Sequence, residues 1–370
     1  MVIGKKDAAQ ITNFAQKKLL MTDNHFTSTL LRWYENHGRD LPWRHTTDPY
    51  PIWLSEVILQ QTRIAQGTAY WEHFMEQFPT VESLAAASED EVLRLWQGLG
   101  YYSRARNLHT AAKQIVAMGG FPKSYEAIRR LKGVGDYTAA AIAAFAYGLP
   151  HAAIDGNAYR VLARHFGIET PINTTAAKKE FAALAQQLLP NDRAADFNQA
   201  MMDFGATLCT STSPQCHQCP LADGCDALHT HRTDVLPVKQ KNVKMATRHF
   251  TYIYIRCQGE TAIMRRPAGD IWQGLWQPLL IEVVGIEALA ALEPLLKQAG
   301  NNASLTLLQQ GVKHVLTHRI ILADFYLLET PVKPSLPDGY IWIPEHDIDR
   351  YALPRLVERL VETAKAHLRR

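Results

Sequence analysis

The sequence of 370 residues is 47% hydrophobic and 20% charged, with a formal net charge of +3, a balance typical of a soluble globular protein with two domains. It contains no uninterrupted apolar run of about 18 residues, which excludes a membrane span, and the residues around Lys5 and Lys6 lack the apolar core of a secretory signal. We therefore expect a cytoplasmic protein, for which the small positive charge is a minor indication of an anionic partner.

The first part of the chain predicts a helical domain. Residues 1–24 form a polar and basic N-terminal extension in which we recognise no site. From residue 25 to 228, amphipathic segments rich in Ala and Leu alternate with short Gly and Pro breaks such as Gly119–Pro122, a pattern typical of successive helices. Residues 229–248 are polar and basic without periodicity, which predicts a linker.

The remainder, residues 249–370, predicts a smaller α+β domain. Residues 249–257 and 320–328 alternate between apolar and polar side chains with the period of a strand. Helical patterns cover residues 286–298 and 354–368. The fold class is therefore a mainly α N-terminal domain followed by an α+β C-terminal domain.

Glu56 lies in a strongly apolar predicted helix, Ile52–Leu59. A carboxyl group in such a place is partly buried and should hold its proton more tightly than usual. It can serve as the partner of a neighbouring arginine, or it can donate a proton to a leaving group.

Residues 131–138 read Leu-Lys-Gly-Val-Gly-Asp-Tyr-Thr and precede an Ala-rich helix. Two glycines around Val134 let the backbone turn sharply, and amides at a helix N-terminus suit a phosphate group. The hairpin adjoins residues 103–132, which contain seven Lys or Arg against the single acid Glu126. A plain helix–turn–helix connection is the alternative interpretation.

Asp155 precedes Gly156, Asn157 and a predicted helix at residues 158–166. It can be the N-cap of that helix, and helix-terminal donors also keep a carboxylate ionised. One protonated and one ionised carboxyl group form the pair that glycosidic-bond cleavage requires. The sequence alone leaves open whether Glu56 and Asp155 face one cleft.

Four of the five cysteines lie between residues 209 and 225 with the spacing C-x6-C-x2-C-x5-C, and the fifth, Cys257, is expected in the core of a strand. Four thiolates this close in sequence indicate metal ligation rather than a disulfide framework. Spacing chemistry leaves zinc and a four-iron cluster as alternatives. The candidate ligands are Cys209, Cys216, Cys219 and Cys225.

Several long motifs in order resemble the adenine DNA glycosylases of the MutY type, within the helix-hairpin-helix glycosylase superfamily. The resemblance covers residues from about 26 to 370. The motifs are Leu41–Trp43, Trp53–Val57 with Gln60–Thr62, Gly98–Asn107, Leu131–Thr138, Ile154–Asn157, Phe197–Asp203 and the cysteine loop 209–225. The cysteine spacing matches the cluster loop of that family, so the resemblance implies a [4Fe-4S] cluster rather than zinc.

The resemblance also implies catalytic roles. Glu56 would protonate the five-membered ring of a flipped adenine and so make the base a neutral leaving group. Asp155 would stabilise the developing sugar cation, electrostatically or through a transient covalent adduct before water attacks. Tyr137 and Asn157 would orient these two carboxyl groups.

Further residues would contact the substrate or the DNA. Gln199 and Met202 would line the adenine pocket, with ordinary helix packing as the alternative for Met202, and Arg44 is expected at the same substrate. Gln61 and Tyr101 would wedge into the duplex and offset the cost of unstacking a base. The amides of Gly133, Val134 and Gly135 would hold a phosphate.

Tyr137 separates two subfamilies of the resembled group. Relatives that also cut the DNA backbone, such as endonuclease III, have a lysine there, and a phenol cannot form a Schiff base. The sequence therefore predicts a monofunctional glycosylase, and leaves open a weak lyase activity through the nearby Lys132. A glycosylase/lyase for oxidised pyrimidines and a non-catalytic lesion-binding protein are the competing interpretations.

The C-terminal domain resembles the Nudix-like module with which this family inspects 8-oxoguanine. Gly269–Trp276 fits that module, but the predicted helix at 286–298 has only Glu287 and Glu293, too few carboxylates for the metal ions of a Nudix hydrolase. The lesion-reading loop would be residues 314–318, with Thr317 and His318 at the lesion and Leu316 where the family often has Phe. The expected partner is double-stranded DNA with adenine opposite 8-oxoguanine or guanine, bound by a nucleoid-associated monomer.

Overall fold

The computed structural model describes residues 25–240, 245–283, 286–300 and 302–369. The predicted extension at residues 1–24 lies outside the described residues.

The described chain forms two compact units, and each includes segments that are distant in sequence. The first unit contains residues 25–71, 80–82 and 111–240. The second contains residues 72–79 and 83–110 together with the described residues from 245 onward. The two compact units therefore do not correspond to two consecutive parts of the chain. The domain boundaries predicted at residues 228 and 249 stay a prediction.

Up to residue 240 the described chain consists of helices and loops and has no strand, as predicted. The α-helices are α1 (25–37), α2 (Pro49–Ile58), α3 (Ile64–Gln77), α4 (Val81–Ala86), α5 (Glu89–Leu95), α6 (Ser103–Ala117), α7 (Tyr125–Arg129), α8 (Asp136–Tyr147), α9 (Gly156–Phe166), α10 (Thr175–Leu188), α11 (Ala194–Thr207) and α12 (Asp226–His229). None of the helices in the described part of the chain is both long and apolar enough to cross a membrane.

Local signals place the ends of the helices that carry the site. Asp48 caps α2, with its side chain accepting the amide hydrogen of Tyr50 at 2.9 Å and Pro49 in the first helical position. Helix α9 begins after Asp155 and ends at Gly167, which has the left-handed φ of +67° that favours glycine. The core beneath these helices in the first unit includes Phe181, Phe197 and Phe204.

The second unit contains a seven-stranded sheet whose main path is β3-β2-β1-β6-β5, with β4 paired to β1 and β7 paired to β2. Strands β1 and β6 run parallel, while the other pairs are antiparallel. The strands are β1 (Ala246–Cys257), β2 (Glu260–Arg265), β3 (Trp276–Gln277), β4 (Leu279–Ile281), β5 (Ser304–Val315), β6 (Arg319–Glu329) and β7 (Tyr340–Pro344).

A helix covers each face of this sheet, because β1 is apolar on both sides. Phe250 and Tyr252 share a core with α14 (Arg355–Leu368). Ile253 and Ile255 share a second core with α13 (Ile286–Ala299). The predicted α+β fold is confirmed, and Cys257 is buried as expected.

Regular structure extends into both ends of the predicted linker at residues 229–248. Helix α12 extends to His229, and β1 begins at Ala246. The polar start of β1 has no strand period of its own, but Ala246 and Arg248 are paired with Arg319 and Ile321 of β6. Tertiary pairing rather than local pattern forms the strand there.

Candidate active site

One cavity of about 620 Å³ in the first unit brings together most of the predicted catalytic and substrate residues. Its walls come from α2, α8, α9 and α11 and from the loops after residues 41 and 58. The predicted residues that line it are Arg44, Glu56, Gln61, Tyr137, Asp155, Asn157, Gln199 and Met202. The question that the sequence left open is thereby answered, because Glu56 and Asp155 face the same cavity.

Glu56 is buried on α2, with 8% of its surface exposed. The phenol of Tyr137, at the start of α8, donates a hydrogen bond to Oε2 of Glu56 at 2.6 Å. Burial raises the pKa of Glu56 to about 7, and the charge of Asp155 adds to that rise. The hydrogen bond from Tyr137 and the charge of Arg44 act in the opposite direction. Near pH 7 this carboxyl group is therefore poised to give up or take a proton.

Asp155 is the N-cap of α9, as one interpretation of the sequence predicted. Its Oδ1 accepts the amide hydrogen of Ala158 at 2.8 Å, and its Oδ2 accepts the side-chain amide of Asn157 at 2.6 Å. Burial and these donors act on the ionisation of Asp155 in opposite directions. Burial is the largest influence and raises the pKa of Asp155 above its usual value, while the donors Ala158 and Asn157 lower it.

Tyr137 and Asn157 each donate a hydrogen bond to one of the two carboxyl groups, and their role in orienting these groups stays a prediction. Met202 is 9% exposed, lines the cavity and also packs against Ala140 and Ala153. Both interpretations of Met202 are therefore compatible with its position.

Sequence reasoning missed three residues that support the cavity wall. The fully buried carboxylate of Asp203 accepts two hydrogen bonds from the guanidinium of Arg44, each at 2.8 Å, and further bonds from Arg39. Tyr34 donates to Oε1 of Gln199 at 2.5 Å, which orients that amide in the cavity. Asp203 closes the motif Phe197–Asp203, so the sequence carried a signal for it, whereas Tyr34 and Arg39 carried none.

Arg160 was also missed, although it lies one helical turn after Asn157. Its guanidinium donates to Oδ1 of Asn157 at 2.8 Å, to the carbonyl of Gly205 at 2.6 Å and to the carbonyl of Cys209 at 2.8 Å. Because Asn157 in turn donates to Asp155, hydrogen bonds connect the cysteine loop to the catalytic candidate.

Two residues predicted to contact the DNA meet each other in the second unit. The hydroxyl groups of Tyr101 and Thr317 lie 2.5 Å apart, at a cavity of about 520 Å³ that His318 also lines. Thr317 and His318 belong to the β5–β6 turn (residues 316–318), while His314 lies within β5. The predicted loop at 314–318 is therefore shorter than expected, because β5 continues to Val315.

The two candidate wedge residues share an unusual backbone conformation. Gln61 has a φ of +59° and Tyr101 a φ of +45°. Both values lie in the left-handed region of backbone conformation, which residues other than glycine rarely adopt. Tyr101 is 49% exposed, and Arg104 lies over its ring at 5.7 Å. Such strain is often retained at functional sites.

The predicted phosphate site in the hairpin is changed by the structure. The amide of Val134 donates within the turn to the carbonyl of Leu131 at 3.1 Å, so it is already engaged. Gly133 and Gly135 are exposed, and Gly133 has a φ of +77°. The phosphate site therefore stays a prediction for Gly133 and Gly135 alone.

The four clustered cysteines line one small cavity, which is closed by Arg164, Leu208 and Leu228. Arg164 is buried and donates towards Sγ of Cys209 at 3.4 Å. All four thiols border this common space. Four cysteine thiolates are the ligand set that a [4Fe-4S] cluster uses, so the residues of this cavity fit such a cluster.

Three segments match known protein families. Residues 54–191 match the HhH-GPD superfamily base excision DNA repair proteins, residues 209–225 the iron-sulfur binding domain of endonuclease III, and residues 251–363 the NUDIX domain.

The chain is 44% identical over 213 residues to a protein of Homo sapiens named adenine DNA glycosylase. The aligned residues cover 55% of this chain and 39% of the human protein. It is 33% identical over 354 residues to the adenine DNA glycosylase of Buchnera aphidicola subsp. Acyrthosiphon pisum, which covers 94% of this chain and 100% of that protein. A solved structure described as a thermostable thymine-DNA glycosylase aligns with a TM-score of 0.54 at 31% identity, over 57% of this chain and 99% of that one.

Proposed function

The chain belongs to the adenine DNA glycosylase family, and from that premise we propose that it removes adenine paired with 8-oxoguanine or guanine and leaves an abasic site. It is a hydrolase of N-glycosyl bonds. The main observation behind the proposal is that Glu56 and Asp155 lie in one cavity. Burial there raises the pKa of Glu56 to about 7.

Glu56 acts as the general acid. Its Oε2 accepts the hydrogen bond from Tyr137, so the proton is delivered from Oε1 to the five-membered ring of the flipped adenine. The bond between the sugar C1′ and the base nitrogen then breaks, and its electron pair leaves with adenine as a neutral molecule. A general acid works best when its pKa lies near the working pH, which burial provides here.

Asp155 stabilises the positive charge that develops on the sugar. The donors Ala158 and Asn157 hold its two oxygens in place and reduce the cost of its negative charge in a buried site. Water adds its oxygen to C1′ and returns a proton to Glu56, which restores the acid for the next turnover. Gln199, oriented by Tyr34, contacts the base.

The cavity supports hydrolysis rather than lyase chemistry. The hairpin position next to Glu56 is a tyrosine, and burial raises the pKa of Tyr137 well above 10, so it stays a neutral hydrogen-bond donor. Lys132 is exposed, with its backbone amide bonded to Gln114, and is not among the residues that line the cavity. Among the described residues, the wall of this cavity includes no lysine whose amine could form a Schiff base with the sugar.

The β5–β6 turn reads the opposite base, with Thr317 as its hydroxyl group and Tyr101 as its neighbour. The second unit matches the NUDIX domain, but α13 offers only the carboxylates of Glu287 and Glu293, too few to hold the metal ions of a Nudix hydrolase. Recognition of the lesion, rather than pyrophosphate hydrolysis, is the role we assign to it.

The chain carries a [4Fe-4S] cluster, and we assign Cys209, Cys216, Cys219 and Cys225 as its ligands. When bound, the cluster cross-links a loop of little regular structure and holds the carbonyl of Cys209 where Arg160 binds it. The partner is double-stranded DNA containing the mispair, bound by a monomer in the nucleoid.

One assay separates the proposed function from a lyase and from a lesion-binding protein. The protein is incubated with end-labelled duplexes that contain adenine opposite 8-oxoguanine, adenine opposite guanine, thymine opposite guanine or an oxidised pyrimidine. We expect cleavage at adenine only after alkali treatment. Strand scission without alkali, or borohydride trapping of the protein on DNA, would identify a lyase. Binding without base release would identify a lesion-binding protein.

A further inference from the structure

Three arginine side chains converge on the carboxylate of Asp270 in the second unit. Arg248 donates to both oxygens, at 2.5 and 2.9 Å, and Arg266 donates to Oδ2 at 2.6 Å. Arg319 donates to Oδ1 at 3.3 Å, and the amide of Ile271 donates to the same oxygen at 2.7 Å. The hydrogen bond from Arg248 is the largest of the effects that hold the pKa of Asp270 well below its usual range. Asp270 is thus an anion at all ordinary pH values.

Arg319 connects this cluster to the β5–β6 turn. It is the first residue of β6, and its carbonyl accepts the amide hydrogen of Leu316 at 2.8 Å, which closes the turn. The carbonyl of His318 accepts the amide hydrogen of Ala246 at 3.2 Å. The base of the turn is therefore held by backbone bonds and by the side chain of Arg319, while Thr317 at its tip meets Tyr101.

Without Asp270, positively charged arginine side chains would lie next to one another where the β5–β6 turn meets the sheet. Ala246 is paired with Arg319 across the parallel strands β1 and β6, and Arg248 lies two residues further along β1. Positive side chains on neighbouring strands repel each other. The side chains of Arg248 and Asp270 are 23% and 27% exposed, so salt screens these charges less than it would on an open surface.

We propose that Asp270 is a positioning residue for discrimination between 8-oxoguanine and guanine. It draws Arg319 towards the sheet and thereby fixes the turn that presents Thr317 to the base opposite adenine. The inference rests on the function proposed above for that turn. Asp270 is not among the described residues that line the cavity of Glu56 and Asp155. It lines the second cavity together with Thr317 and Arg319 and acts by holding Arg319.

The test compares single-turnover rates of adenine release opposite 8-oxoguanine and opposite guanine. Asp270→Asn keeps an oxygen for the amide of Ile271 but removes the charge. We expect the ratio of the two rates to fall about tenfold, the size expected for loss of charge-assisted hydrogen bonds, with most of the loss on the 8-oxoguanine substrate. Glu282→Gln is the matched control, because Glu282 binds the same Arg248 at 2.6 and 2.7 Å but its removal leaves the Asp270–Arg319 contact in place.

Arg319→Gln removes the other partner of the Asp270–Arg319 contact. It provides the test of the proposal if Asp270→Asn does not fold. It should lower the ratio by a similar factor, and the double variant should lower it no further, whereas Asp270→Glu should restore part of it. An unchanged ratio in a folded Asp270→Asn protein would overturn the inference, and so would an equal loss in Glu282→Gln. A wild-type protein that releases no adenine, or does so equally opposite both bases, would instead overturn the proposed function.

Discussion

The phenol of Tyr137 donates a hydrogen bond to Oε2 of Glu56 at 2.6 Å. The contact joins the start of α8 to the middle of α2 and engages one of the two oxygens of the carboxyl group. This hydrogen bond lowers the pKa of Glu56, whereas burial raises it. The carboxyl group can therefore lose its proton as well as hold it. Because the pKa of Tyr137 is itself raised well above 10, the phenol remains the donor throughout the physiological range.

Adenine release should depend on pH through Glu56. The acid must be protonated to act, and its pKa of about 7 means that the protonated fraction falls as the pH rises through that value. Single-turnover rates between pH 5 and 9 should therefore decline above about pH 7. In Tyr137→Phe the hydrogen bond that lowers this pKa is lost, so the decline should move to higher pH. A rate that stays flat up to pH 9 would contradict the assignment of Glu56.

The same burial should cost stability at neutral and alkaline pH. The pKa of Glu56 is 4.5 in the unfolded chain and about 7 in the folded protein, so the folded state binds the proton more tightly and loses stability as the pH rises between these values. A neutral Gln avoids that loss. Glu56→Gln should be more stable than the wild type by about 3 kcal/mol at pH 8, with little difference at pH 4. Urea unfolding at the two pH values measures this; a variant that is less stable at pH 8 would refute it.

The buried ion pair between Asp203 and Arg44 should be essential to the fold of the first unit. Asp203→Asn leaves the largely buried Arg44 and the half-buried Arg39 without their anion, which should cost about 3 to 5 kcal/mol. Asp136→Asn is the matched control, since Asp136 pairs with Arg129 at the exposed surface and should change stability by less than about 1 kcal/mol. Thermal and urea midpoints of both variants decide the matter; equal effects would contradict the distinction.

The cysteine assignments can be tested on the purified protein without any activity assay. Cys219→Ser should lower the iron content and the visible absorbance of the cluster, because one of four ligands is lost. Cys257→Ser should leave both unchanged, since Cys257 is a buried residue of β1 in the second unit and does not belong to the cysteine loop. Loss of iron in both variants, or in neither, would contradict the assignment of Cys219 as a ligand.

Much of the fold could be predicted from local signals in the sequence, whereas most residues of the cavity were predicted from the resemblance to a known family. The caps Asp48 and Asp155 mark helix starts, and burial of Glu56 follows from the apolar residues around it. The spacing of the cysteines is likewise visible in the chain itself.

What could not be predicted depends on partners that are distant in sequence. Tyr34 contacts Gln199 and Arg39 contacts Asp203 across more than 160 positions in the sequence. The sequence pattern around Tyr34 or Arg39 does not predict such a contact. The polar start of β1 forms because it pairs with β6. The occupied amide of Val134 depends on the detailed form of one turn, which a glycine pattern does not specify.

The central claim is that Glu56 protonates the adenine that leaves. Its most direct test is the single-turnover rate of adenine release from a duplex with adenine opposite 8-oxoguanine, measured for the wild type, Glu56→Gln and the control Glu35→Gln, in which the same change is made at an exposed site. We predict that Glu56→Gln binds the duplex as the wild type does but releases adenine more slowly by a factor on the order of 10² to 10⁴, while Glu35→Gln is unaffected. Release by Glu56→Gln at the rate of the wild type would contradict it.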